Sequence, residues 1–100
     1  MKHTLLVAMI VGSAAFAGTA SAADAVAGKA KSTSCAMCHG ATGGGTQMGG
    51  KLAGEDPAKF IQAMNDYKTG KRDNAMMKNQ AGALSADDIA NLAAYYASLK

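Results

Sequence analysis

The chain has 100 residues, 49% of them hydrophobic and 17% charged, with a formal net charge of +3. That length leaves no room for a second sizeable domain. No dense basic stripe is interleaved with aromatic residues, which argues against nucleic-acid binding, and two cysteines are too few for a disulfide framework.

Residues 1–22 read as a secretory signal peptide. Lys2 supplies the positive start, Leu5 to Val11 a short apolar core, and Ala20, Ser21 and Ala22 the small residues of a cleavage site. Gly12, Ser13, Gly18 and Thr19 break the apolar run, so no stable membrane insertion is expected after cleavage. The mature chain then covers residues 23–100, one domain with nine Lys or Arg and seven Asp or Glu. Its large apolar residues are few: Val26, Leu52, Phe60, Ile61, Leu84, Ile89, Leu92 and Leu99, helped by three tyrosines and five methionines. A chain of this size with so thin a core usually needs a staple, a metal or a prosthetic group.

The first predicted helix is alanine-rich and runs from Asp24 to Ser34. It leads into Cys35-Ala36-Met37-Cys38-His39. Two thiols three positions apart, followed at once by an imidazole, have the attachment spacing of a c-type haem. Each thiol can add to one vinyl group as a thioether, and His39 can bind the iron. His3, the other histidine of the chain, lies in the segment expected to be removed. One haem c per chain would fill the thin core, and its attachment implies assembly outside the cytoplasmic membrane, in the periplasm. Residues 40–55 hold seven glycines but lack the Gly-Lys-Ser/Thr ending of a phosphate cradle, and are read as a plain loop.

The next predicted helix starts at Asp56 as N-cap with Pro57 in its first position, and ends at Gly70. Phe60, Ile61, Met64 and Tyr67 recur on its inward face. Residues 71–83 are read as irregular. The last helix begins at Ser85, with Asp88 three residues on as a capping box, and Ile89, Leu92, Tyr96 and Leu99 trace its apolar face. No strand pattern appears, so the fold class is all-α. With no second histidine in the mature chain, methionine is the natural second axial ligand, since its thioether is neutral and soft. Met37 lies within the attachment motif, Met64 reads as core, and Met48 is a weak candidate in the glycine loop. Met76 and Met77 lie where a loop can fold back over the haem, and one of the two is expected to bind iron.

These segments resemble the small bacterial class I cytochromes c of the cytochrome c-553 kind. The likeness runs from Ala27-Gly28-Lys29-Ala30-Lys31 through the Cys35–Gly40 motif and Leu52-Ala53-Gly54 to Tyr67-Lys68-Thr69-Gly70. It continues in Arg72, Asn74-Ala75-Met76-Met77, Leu84 to Ile89 and Leu92 to Tyr96, nearly the whole mature chain. The resemblance implies three to four helices wrapped around one covalently attached haem. It implies that the iron-binding methionine lies seven residues before Leu84, which is Met77, with Met76 as the alternative. It also implies a close crossing of the first and last helices, Gly28 against Tyr95 or Tyr96. The chain departs from the family at Lys31 and Ser32, where a large apolar residue is common, and at Ala75, where proline is common.

The leading functional expectation is a non-enzymatic, monomeric one-electron carrier with His/Met ligation, exchanging electrons with a donor reductase or dehydrogenase and an acceptor oxidase or reductase. No acid–base or nucleophilic arrangement is evident around a single histidine already used as a ligand. The alternatives are a haem subunit of a larger periplasmic dehydrogenase, or an open-site haem protein binding peroxide or a gas. A thiol–disulfide centre leaves His39 without a role and lacks a βαβ setting. A closed zinc site would be one ligand short.

Overall fold

A computed structural model describes residues 23–99; the signal-peptide reading of residues 1–22 lies outside them, as does Lys100. The described residues form five helices and no strand: α1 (Ala25–Lys31), α2 (Thr33–His39), α3 (Pro57–Thr69), α4 (Ala75–Gly82) and α5 (Ala86–Ser98). The class is the expected all-α. The helix count rises to five because two short helices, α2 and α4, carry little apolar periodicity for the sequence to display.

α3 and α5 begin and end where their caps dictate. The Asp56 carboxylate accepts from the Ala58 amide at 2.9 Å, Pro57 takes the first helical position, and Gly70 closes α3 in a left-handed conformation at φ 85°. At α5 the capping box is complete: the Asp88 amide donates to Ser85 Oγ at 3.0 Å, and the Ser85 amide donates to Asp88 Oδ2 at 3.1 Å. Phe60 and Met64 of α3 are buried against Ile89, Leu92, Ala93, Tyr95 and Tyr96 of α5, and Ile61 and Tyr67 are half-buried beside them. Tyr96 is the hub of this core, its ring 5.8 Å from Phe60 and 5.0 Å from Tyr95 between centroids.

α1 crosses α5 at Gly28. A Cβ there would lie 2.0 Å from the Asn91 carbonyl oxygen and 2.9 Å from Tyr95 Cβ, so no larger residue fits the crossing. The expected partner Tyr95 is one side of this contact. Asn91 also anchors the start of α1, its Oδ1 accepting from the Asp24 amide at 2.8 Å, while Asp24 Oδ1 caps the Val26 amide at 2.9 Å.

The single helix expected over residues 24–34 is instead two. Ser32 breaks it: its hydroxyl donates to the Lys29 carbonyl at 2.7 Å, its amide bonds to the same oxygen at 3.1 Å, and the chain restarts as α2. The departures at Lys31 and Ser32 thereby find uses, since Ser32 is buried at this corner and Lys31 reaches Asp88 of α5 at 3.6 Å. The irregular stretch expected over residues 71–83 is also corrected. Asn74 Oδ1 accepts from the Met77 amide at 3.0 Å and caps α4, whose Ala81 is fully buried. Lys68 of α3 donates to the Leu84 carbonyl at 2.7 Å and ties down the turn that follows.

Candidate functional site

α2 explains why the motif residues converge. On a helix, positions i, i+3 and i+4 share a face, so Cys35, Cys38 and His39 point together. All three line a cavity of about 420 Å³, and Met37 and Ala36, between them in sequence, do not. The opposite wall comes from α3 (Phe60, Met64, Tyr67) and α4 (Met76, Met77, Gln80), and the loop supplies Met48, Gly49, Gly50 and Leu52. The cavity therefore collects every chemical type picked out in the sequence: two thiols, an imidazole and the methionine pair.

The glycine loop is more than the plain connection expected of it. The Gly50 carbonyl lies 2.6 Å from His39 Nδ1. A carbonyl oxygen can only accept, so the proton of the neutral imidazole sits on Nδ1 and the lone pair of Nε2 is free. A Cβ on Gly49 would lie 2.8 Å from the same ring nitrogen, so the loop hugs the imidazole as only glycine permits. The Gly45 amide donates to the His39 carbonyl at 2.8 Å, and the Thr46 hydroxyl donates to the Cys38 carbonyl, which satisfies carbonyls at the end of α2. The signal available in the sequence was the glycine run a fixed distance after His39; its hydrogen bonds became visible only in three dimensions.

Cys35 and Cys38 are both free and half-buried. Burial pushes the Cys35 thiol up, against the opposing pull of hydrogen bonds from the Tyr96 and Ser34 side chains. Burial likewise raises the Tyr96 hydroxyl well above its ordinary value, with the neighbouring Cys35 adding to the shift. Both groups are therefore neutral at pH 7. A thiol held protonated is a poor nucleophile, which weighs against a thiol–disulfide centre.

The methionines separate by position. Met37 is 80% exposed and takes no part in the lining. Met64, expected in the core, is buried there and also touches the cavity. Met48 and Met76 line the cavity but are 73% and 63% exposed, which puts them at its mouth. Met77 is half-buried and packs against the core. Both members of the Met76–Met77 pair stand on the first turn of α4, not in the loop anticipated for them.

The lining fits haem c. The cavity offers a soft thioether, a free imidazole nitrogen and two thiols for vinyl groups, in mainly apolar surroundings that suit a flat macrocycle. Among the described residues no cluster of three or more His, Cys, Asp or Glu side chains could hold a bare metal ion instead.

Comparison with known proteins agrees. Residues 17–95 match the family model described as cytochrome C oxidase, cbb3-type, subunit III. Cytochrome c4 of Pseudomonas aeruginosa is 42% identical over 80 residues, covering 79% of this chain and 40% of that protein. Cytochrome c-554(548) of Halomonas halodenitrificans is 37% identical, covering 77% of this chain and 98% of its own length. The structure of cytochrome c4 from Acidithiobacillus ferrooxidans superposes with a TM-score of 0.73 at 30% identity, over 77% of this chain and 50% of that one. The chain thus spans half or less of the cytochromes c4 it matches and nearly all of cytochrome c-554(548).

This chain belongs to the cytochrome c family. Membership brings covalently attached haem c and a role in electron transfer.

Proposed function

We propose that this chain is a periplasmic, monohaem, non-enzymatic one-electron carrier. In this reading residues 1–22 are removed on export and residues 23–100 form the cytochrome domain, a monomer. Cys35 and Cys38 form the two thioethers, and His39 and Met77 are the axial ligands. Bound haem supplies a ferric/ferrous couple. The observation that carries the proposal is the convergence of both thiols, the imidazole and the methionine pair on one cavity.

The chain's own groups have defined tasks in this scheme. The Gly50 carbonyl holds the proton of His39 on Nδ1, which orients the ring and presents Nε2 to the iron. Met77 is favoured over Met76 because it is half-buried on the core side, where its sulfur is shielded from water, while Met76 stands at the mouth. A neutral, soft sulfur favours ferrous iron and raises the potential. Phe60, Met64 and Leu52 keep water from the cavity, and its open mouth leaves an edge accessible to donor and acceptor proteins.

The deciding experiment is an alkaline-pyridine spectrum of the exported protein with an intact-mass measurement. The expected result is one c-type haem per chain on a polypeptide beginning at Ala23. A mass equal to the bare polypeptide would overturn the proposal.

A further inference from the structure

α4 carries the proposed ligand on a segment with little to hold it. Residues 71–80 are all exposed except the half-buried Met77, and Ala81 is the one buried residue of the helix. A segment with so few apolar contacts opens at low cost unless something else closes it. Both of its ends are closed. At the entry, the Arg72 amide donates to the Asp66 carbonyl of α3 at 3.1 Å. At the exit, Lys68 Nζ donates to the Leu84 carbonyl at 2.7 Å, between residues 16 apart in sequence. Lys68 is half-buried on the last turn of α3, while Leu84 follows α4 and packs against the core. This one bond joins the start and the end of the stretch that holds Met76 and Met77. It also places a positive charge past the C-terminal end of α4, where the helix dipole favours a cation. Among the described residues no carboxylate competes for Lys68; the ion pair found there joins Lys31 to Asp88.

We infer that Lys68 is a positioning residue for the axial methionine: as a latch across residues 69–83 it sets how readily the Met77 sulfur leaves the iron. This rests on the proposed ligation by Met77. The Lys68–Leu84 bond exists only while the segment is closed, so it stabilises the closed state and contributes nothing to the open one. The coupling is reciprocal, as linkage requires: breaking the latch frees Met77, and displacing Met77 loosens the latch. Lys68 thus acts on the iron's ligand without touching either the ligand or the cavity lining.

The test uses the haem-loaded ferric protein and the variants Lys68→Met, Lys68→Arg and Lys59→Met. Lys59 is an exposed cation on the first turn of α3 and controls for the loss of one charge. The sulfur-to-iron band of the unmodified protein is read first. Its absence refutes ligation by Met77, and the latch with it; with the band present, the remaining outcomes bear on the latch alone. At saturating imidazole, the rate of binding reports the rate at which Met77 leaves. Lys68→Met is expected to raise that rate about tenfold or more, the size expected of one hydrogen bond from a charged donor. Lys68→Arg keeps a charged donor and should stay within about threefold of the unmodified protein. Lys59→Met, which removes only a screened surface charge, should change the rate less than about twofold. The second readout needs no variant: mild acylation of the lysine amines, mapped by mass spectrometry with and without imidazole. Bound imidazole should raise the acylation rate of Lys68 about threefold or more and leave that of Lys59 unchanged. A bond serving only overall stability would not respond in this way. A Lys68→Met rate no faster than that of Lys59→Met overturns the inference, as does Lys68 acylation that imidazole leaves unchanged. The acylation result also decides the matter should Lys68→Met fail to fold.

Discussion

The α1–α5 crossing and the cavity wall made by α2, the glycine loop and α4 are held by different means. At the crossing Gly28 lets two backbones touch, and beside it Ile89, Leu92, Ala93 and Tyr96 of α5 are buried in one core with Phe60 and Met64 of α3. Around the cavity, most of the lining is half-buried or exposed, and order comes from backbone bonds and caps: Gly50 to His39, Gly45 to His39, Thr46 to Cys38, Asn74 to Met77. The first region is held by burial and close approach. The second leaves an open cavity, and its hydrogen bonds hold the imidazole, the thiols and the methionine pair around that space. So small a domain divides the work in this way because its few large apolar residues suffice for one packed seam and leave the cavity side for a cofactor to fill.

The sharpest way to break this comparison is to add one methyl group on each side. Gly28→Ala puts a Cβ 2.0 Å from the Asn91 carbonyl oxygen, a backbone atom that cannot rotate away. The expected cost is about 3 kcal/mol or more, from overpacking at a closed contact. Gly82 is on α4, where an added Cβ meets nothing within 4 Å. Gly82→Ala is expected to gain about 0.5–1 kcal/mol through helix propensity and a less flexible unfolded chain. Urea unfolding of both haem-loaded variants measures the pair; equal effects would mean that the crossing is not the rigid seam described.

Met77→Ala comes next and tests the cavity side. With the proposed ligand removed, the sulfur-to-iron band of the oxidised protein should vanish, external ligands such as imidazole should bind, and stability should fall by about 2–5 kcal/mol. Met76→Ala, at a position mostly in solvent, should leave the band intact and change stability by less than about 0.5 kcal/mol. The reverse pattern would make Met76 the ligand. Asn74→Ala is a milder form of the same probe. It deletes the cap that holds the Met77 amide and should cost about 1 kcal/mol, with faster binding of external ligands as the first turn of α4 frays. Stopped-flow binding of imidazole reads that rate, and an unchanged rate would show that the cap does not hold the ligand turn of α4 in place.

The sequence displayed the seam better than the cavity. α3 and α5 were legible from end to end because their signals are local: Asp56-Pro57 and Gly70 for one, Ser85 with Asp88 for the other, each with apolar residues at helical spacing. Cys35, Cys38 and His39 were legible because their spacing is itself the chemistry. What stayed hidden depends on contacts between distant residues. α4 turns inward chiefly through Met77 and Ala81, too few positions to mark a period, and its cap is an asparagine within a polar run. Ser32 breaks α1 by a bond to Lys29 that competes with an otherwise unbroken alanine-rich helix. The loop's role depends on Gly50 meeting an imidazole eleven residues away, which no local pattern records.

The smallest expected effect is the titration of the Lys31–Asp88 contact, which bridges α1 and α5. The Ser85 amide, donating to the Asp88 carboxylate, holds that group below its usual range, and Lys31 of α1 adds to the shift. A carboxylate whose folded value is depressed contributes stability that is present above the unfolded value, about 3.9. That contribution is lost as pH falls through the lower folded value. Asp88→Asn keeps an acceptor but carries no charge, so the thermal midpoint of the unmodified protein should exceed that of Asp88→Asn near pH 6. The gap should narrow from about pH 4 downward, because protonation turns the native carboxyl into something close to the variant's amide. Lys31→Met should remove only the part of the gap that salt also removes, since Lys31 is exposed, Asp88 is partly exposed, and the pair is screened. A gap that stays constant from pH 6 to pH 3 would show that the cap at α5 works by shape alone, and that the seam draws nothing from charge.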